Sequence, residues 1–270
     1  MSHTNYLNSL KQDGYFIYHN AINNIEVNQL RNTCQTLYEK ESCDTMPWSL
    51  FSHGNFLPDT LFSHSMKGIL SEIFGVDKKI YFFPNFTVRN NLYINWHTDD
   101  FFLKTPFDPM DVLPSLYLFN IYLQDNSREY GGGLDVQKGS HRLPGVDKKT
   151  LIQETQPSYQ HTLFTHAGDL VVFDYRVVHR GTLPEKTDAT VPRLALQWVI
   201  STSDAIAPIY LTYLRERATR KIHLSDFTRH RASKFFNELP LVTQQRVAKQ
   251  LSIPFFDDKY RLITFSDYLP

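Results

Sequence analysis

Trp96-His97-Thr98-Asp99 is the stretch whose reading decides this chain. In an extended backbone the side chains at i and i+2 share a face, so His97 and Asp99 point the same way. Far downstream, His179 follows a hydrophobic run and Arg193 opens another. Two imidazoles and one carboxylate gathered on one side of a metal leave coordination positions open, which is the site type of non-haem Fe(II) oxygenases. Alone, His-x-Asp is a weak sign: the chain has 11 histidines, and a surface His/Asp pair is the commoner outcome. The order of the parts adds the weight. The motif ends one strand-like run, His179 ends another, and Arg193 begins the next.

Around these residues, runs rich in β-branched and aromatic side chains occupy 80–83, 92–96, 116–123, 162–165, 170–173 and 194–200. Many short strands in a compact region predict a sandwich or barrel, with the jelly roll as first candidate. Before them, residues 1–76 read as mostly helical. A strand is predicted over 15–18 after a turn at Gly14. Val27, Leu30, Cys34 and Leu37 recur at helical spacing behind an Asn23-Asn24 cap. A second helix is expected over 59–74, stopping at Gly75. From about 205 the pattern turns helical again, most clearly over 234–251. The expectation is one domain over 1–270: a helical part (1–76), a β core (79–201) and a C-terminal helical extension (202–270). The fold class is mostly β with flanking helices.

Composition narrows the function classes. Lysine plus arginine equals aspartate plus glutamate at 28 each, so no general attraction to nucleic acid or anionic membranes is expected. Arg215, Arg217, Arg220 and Lys221 read as a solvated helix face. No run approaches the length of a membrane-spanning helix. Residues 1–5 lack the charged and apolar regions of a secretory leader. Two cysteines, Cys34 and Cys43, lie outside any CxxC pair and read as reduced thiols of a cytoplasmic protein. Nucleophile-elbow, phosphate-loop and zinc-helix motifs are absent. Gly131-Gly132-Gly133 lacks dinucleotide-loop spacing and predicts a tight hairpin turn.

Four segments together resemble the phytanoyl-CoA dioxygenase-like family of Fe(II)/2-oxoglutarate oxygenases. They are Gly14-Tyr15, Trp96-His97-Thr98-Asp99, residues 131–142 ending in Gly139-Ser140-His141-Arg142, and Gly168-Asp169 with its hydrophobic strand leading to His179 and Arg193. The resemblance spans residues 8–201 and implies a double-stranded β-helix (jelly-roll, cupin-like) core. It implies Fe(II) on His97, Asp99 and His179, with 2-oxoglutarate as co-substrate, O2 as oxidant, and succinate and CO2 released. Arg193 would then hold the far carboxylate through paired hydrogen bonds. Asn120 and Tyr122 alternate on a strand face where either could contact 2-oxoglutarate or substrate, or simply pack. Lys138 departs from the family's usual proline, and residues 180–185 lack its frequent asparagine.

His141, by resemblance, closes a strand and bonds locally. Asp100 should point away from Asp99. Asp169 and Asp174 should satisfy backbone groups at the ends of a core strand. The loop 101–114 reads as a lid or as a hydrophobic plug. Asp99 favours hydroxylation, since related halogenases lack that carboxylate, although desaturation or ring closure stays open. Nucleic-acid demethylation would call for a second arginine at position 199, which is Val199. A non-catalytic ligand-binding barrel is the other alternative. The expected partner is a small-molecule substrate, with oligomeric state undetermined.

Overall fold

A computed structural model describes residues 3–40, 45–47, 64–75, 80–82, 87–90, 94–100, 116–153, 160–186, 192–210, 255–256 and 262–263. The α-helices named there are α1 (His3–Gln12), α2 (Asn24–Lys40), α3 (His64–Phe74) and α4 (Gly145–Gln153), and residues 206–210 are also helical, as expected from about 205. The core strands are β1 (Tyr15–Tyr18), β2 (Thr45–Pro47), β3 (Tyr81–Phe82), β4 (Thr87–Asn90), β5 (Leu116–Tyr122), β6 (Leu134–Gln137), β7 (Gln160–Leu163), β8 (Leu170–Asp174), β9 (His179–Gly181) and β10 (Leu194–Ser201). Two further short strands, β11 (Phe255–Phe256) and β12 (Leu262–Ile263), pair with each other.

The larger sheet runs β1-β8-β5-β10-β4-β2, with β3 also on β10, and the smaller runs β7-β6-β9. Every pairing is antiparallel. Central strands β5, β8 and β10 are buried along nearly their whole length, which is why they read as apolar runs and not as alternating patterns. Tyr117, Phe119 and Ile121 of β5 join Leu196 and Trp198 of β10 in a cluster with Leu10 of α1, Leu30 of α2 and Ile73 of α3. The opposite face sends Leu118, Tyr122, Phe173 and Val199 against Leu134, Val136 and Leu163 of the small sheet. Helices therefore cover one face, and the second sheet covers the other. This is the mostly β jelly roll with flanking helices that the sequence predicts.

Local chemistry explains the boundaries. Asn23 Oδ1 accepts from the N–H groups of Ile25 and Glu26, while Glu26 Oε2 accepts from the Asn23 N–H. That reciprocal capping box starts α2 where Asn23-Asn24 predicts it. Gly75, at φ 93°, ends α3. Asp169 accepts from the N–H groups of Asn20 and His166 at the head of β8, and Asp174 accepts from Arg176 at its foot. Both serve the strand-end role expected of them.

Several details differ. His179 does not end the hydrophobic strand; β8 stops at Asp174, the chain turns, and His179 opens β9 in the other sheet. Residues 94–96 carry no strand assignment, and His97 meets its neighbour through an isolated bridge. The three glycines do not form a hairpin apex. Gly131 closes a turn from Ser127, and Gly132 and Gly133 then lie along Thr182. β2, β4, β6 and β9 lie outside the runs that residue type predicts. β2 joins the core sheet from within the N-terminal region expected to be helical. Leu37's side chain, Cys43, the loop at 101–114, the arginines and lysine of 215–221 and the helix at 234–251 lie outside the described residues.

No helix among the described residues is long and apolar enough to cross a membrane. Cys34 is fully buried on α2, and desolvation pushes its thiol up to about 12. At pH 8 we expect iodoacetamide to modify the Cys34 peptide on the order of a thousandfold more slowly in native protein than in denaturant. Peptide mass mapping measures both rates, and equal rates would contradict this packing.

Candidate metal centre

β9 lies between β6 and the segment leading to Asp99. On one side Val136 faces His179. On the other, the His97 and His179 backbones exchange two N–H···O bonds of 2.9 Å, and Gly181 N–H donates to the Ile94 carbonyl. The pairing places residue 97 against residue 179 by backbone alone, before any side chain is considered. Asp99 N–H reaches the Tyr175 carbonyl at 3.3 Å.

His97, Asp99 and His179 offer ligand atoms that all lie within 4.8 Å of one another. Asp99 Oδ1 is 3.9 Å from His97 Nε2, and Oδ2 is 3.6 Å from His179 Nε2. Each imidazole is oriented by the backbone carbonyl two residues before it. His97 Nδ1–H donates to the Asn95 carbonyl at 2.6 Å, and His179 Nδ1–H donates to the Val177 carbonyl at 3.0 Å. A carbonyl only accepts, so the proton sits on Nδ1 and the lone pair on Nε2 faces the shared point. The His179 ring also packs on Phe173, with centroids 4.7 Å apart. Its side chain is 6% exposed, against 22% for His97 and 24% for Asp99. The triad thus has a buried floor and an open side formed by residues 97–99. Two nitrogen lone pairs and one carboxylate fit a borderline divalent cation such as Fe(II).

Arg193 sits elsewhere on the same inner face. Its Nε donates to the Gly132 carbonyl at 2.6 Å, and its guanidinium carbon is 5.6 Å from the Tyr122 ring centroid. Strand register relates the two places. Leu118 of β5 is opposite Phe173, and Tyr122 of β5 is opposite Ala195, two residues after Arg193. Asn120, 3% exposed, lies between them in the same alternation. The triad's floor and the guanidinium are thereby joined by one row: Leu118, Asn120, Tyr122.

Residue types alone did not single out what surrounds Arg193. Gln124 Oε1 accepts from the Leu194 N–H, Gln124 Nε2 donates to Asn126, and Asn126 Nδ2 donates to Thr165 Oγ1. At Gly132, φ is 89° and a Cβ would come within 2.9 Å of Asn126 Oδ1 and 3.5 Å of Arg193 Cγ. Only glycine brings its carbonyl there without displacing that network. Asp100 points away from the triad, as expected, and pairs with Lys148. His141 also lies apart: Nε2 donates to the Lys11 carbonyl, and burial lowers its pKa. Lys138, at the proline position of the resemblance, pairs with Asp13.

Residues 54–189 match the family described as phytanoyl-CoA dioxygenase (PhyH). The chain belongs to that family. All three triad residues fall inside the matched span, and Arg193 lies just past it. With family and triad together, this PhyH protein is a non-haem Fe(II)/2-oxoglutarate-dependent enzyme. Solved structures place its fold among similar enzymes. The alpha-ketoglutarate-dependent epimerase SnoN from nogalamycin biosynthesis is 16% identical over 74% of this chain and 80% of its own, with a TM-score of 0.56. The carbocyclase SnoK from the same biosynthesis is 19% identical over 76% and 87%, with a TM-score of 0.53. HygX from Streptomyces hygroscopicus, solved with nickel and 2-oxoglutarate bound, is 12% identical over 74% and 87%, with a TM-score of 0.57. No curated protein sequence matches the chain.

Asp99→Ala and His179→Ala should each abolish binding of Co(II), used as an air-stable stand-in for Fe(II). His166→Ala, which removes an exposed histidine beside Asp125, should leave binding intact. Calorimetry on the metal-free protein checks all three; retained binding in the first two would exclude the triad.

Proposed function

We propose that this PhyH protein hydroxylates an unactivated C–H bond of a small-molecule substrate, with Fe(II) on His97, Asp99 and His179 and 2-oxoglutarate anchored by Arg193. The convergence of the two Nε2 lone pairs and the Asp99 carboxylate carries the reading. Ferrous iron in such a site supplies dioxygen activation coupled to conversion of 2-oxoglutarate into succinate and CO2.

The protein's own residues do the rest. Three donors on one side leave the other coordination positions for co-substrate and oxygen. Arg193 neutralises the distal carboxylate, and its Nε bond to Gly132 fixes the plane of the guanidinium. Tyr122 supports that cation from below, while Asn120 offers an amide along the row between Arg193 and the triad. Leu118, Phe173 and Val199 line the same interior and exclude water, which strengthens each polar contact inside it. Asp99 occupies the position a halide would need, so oxygen transfer to carbon is favoured over halogenation. Balanced charge supports a small molecule over a nucleic acid or membrane surface as substrate. The buried thiol of Cys34 supports a cytoplasmic setting.

The fold shared with an epimerase and a carbocyclase supports a second outcome, in which hydrogen removal ends in inversion or ring closure. Product analysis separates the two: hydroxylation adds one oxygen atom from O2, whereas the other outcomes add none.

Anaerobic addition of Fe(II) and 2-oxoglutarate should give a visible charge-transfer band, and admission of air should give succinate. Arg193→Ala should weaken 2-oxoglutarate binding by about tenfold or more, with Fe(II) binding retained. Absence of both band and succinate in the parent protein would refute the proposal.

A further inference from the structure

One short stretch of chain contacts the immediate neighbours of two of the three triad residues. At its start, Ser140 opens a 3-10 turn (Ser140–Arg142) after Gly139, which is left-handed at φ 78°. Ser140 Oγ accepts the Val178 N–H at 2.9 Å, one residue before His179, and the Gln137 N–H donates to the Val178 carbonyl. At its end, Lys148 Nζ donates to Asp100 Oδ2 at 3.0 Å, one residue after Asp99. Turn and helix make this stretch stiff, since Leu143 N–H bonds back to Ser140 and Lys148 N–H bonds back to Pro144.

α4 is docked in an unusual way. Its described side chains are exposed or half-buried except for Lys148, which is 7% exposed. An amphipathic helix ordinarily docks through apolar side chains. This one sinks an ammonium, a group that stays buried only when paired, and its partner stands next to Asp99. On the Asp99 side, the bond from Asp99 N–H to the Tyr175 carbonyl is long, at 3.3 Å, so the Lys148–Asp100 pair adds a second tie there.

We propose that residues 140–148 are a positioning clamp that sets the spacing of Asp99 and His179, with Ser140 acting on the His179 side and Lys148 acting through Asp100 on the Asp99 side. The inference rests on reading the triad as a metal centre. Neither residue is a ligand, and both act on the backbone that presents one.

Co(II) affinity and the Co(II) ligand-field spectrum of the initially metal-free protein test the clamp. Ser140→Ala and Lys148→Met should each weaken binding by about tenfold and shift the bands, the usual scale for partners that orient metal ligands. The sign for Lys148→Met is informative: removing a nearby positive charge by itself would tighten cation binding, whereas loss of positioning weakens it. Lys148→Arg should restore affinity. Asp100→Asn should weaken binding as well. Combined with Lys148→Met it should cost no more than the worse single change, because the two act as one pair. Lys186→Met, which breaks the exposed pair with Glu129, should change nothing. Parent-like affinity and spectrum in Ser140→Ala and Lys148→Met, alongside lost binding in Asp99→Ala, would overturn the clamp alone. Parent-like binding in Asp99→Ala and His179→Ala would overturn the metal centre and the clamp together.

Discussion

The reciprocal pair of backbone bonds between His97 and His179 is the constraint on which the site depends. It is an interaction of main chain with main chain, so it fixes registry regardless of what the side chains hold. A slip of one residue would turn either imidazole to the opposite face. On the far side of β9, the ladder to β6 holds the same registry, with Val136 opposite His179. The two histidines are thus aligned by neighbours that contribute nothing to coordination.

The small sheet carrying this pairing is tied together on its outer face by one carboxylate. Asp135 of β6 accepts hydrogen bonds from Gln160 and Thr162 of β7, and from Arg180 and Thr182 at β9. Four donors satisfy a carboxylate that is 1% exposed. Arg180 also lies 4.8 Å from the centroid of the Trp96 ring. The chain of contacts Asp135, Arg180, Trp96 therefore reaches the residue before His97 from the face opposite Val136 and His179. The bracing carboxylate and the triad occupy opposite sides of the same small sheet.

Much of this was legible in residue types and spacing because the signals were local. Long apolar runs marked β5, β8 and β10, Asn23 with Glu26 marked the start of α2, and Gly75 marked the end of α3. The i, i+2 spacing gave His97 and Asp99 a common side, and their facing atoms are 3.9 Å apart. What the spacing could not reveal depends on partners distant in the chain. β2 and β6 are short and carry no apolar run, so only their neighbours define them as strands. The role of Gly132 depends on Arg193 and Asn126. Lys148 looks like any helix-surface lysine until Asp100 is placed beside it.

β1 bears on how the chain is made. Its residues pair with β8 from Tyr15 opposite Phe173 to Tyr18 opposite Leu170, and the Gly14 carbonyl caps Asp174. The first of the described strands thus has its partner in a strand made much later in the chain. Until then, it is an unpaired edge that must avoid pairing with neighbouring chains. Closure over such sequence separation is slow, so the register of β1 is set only once β8 is available to pair with it.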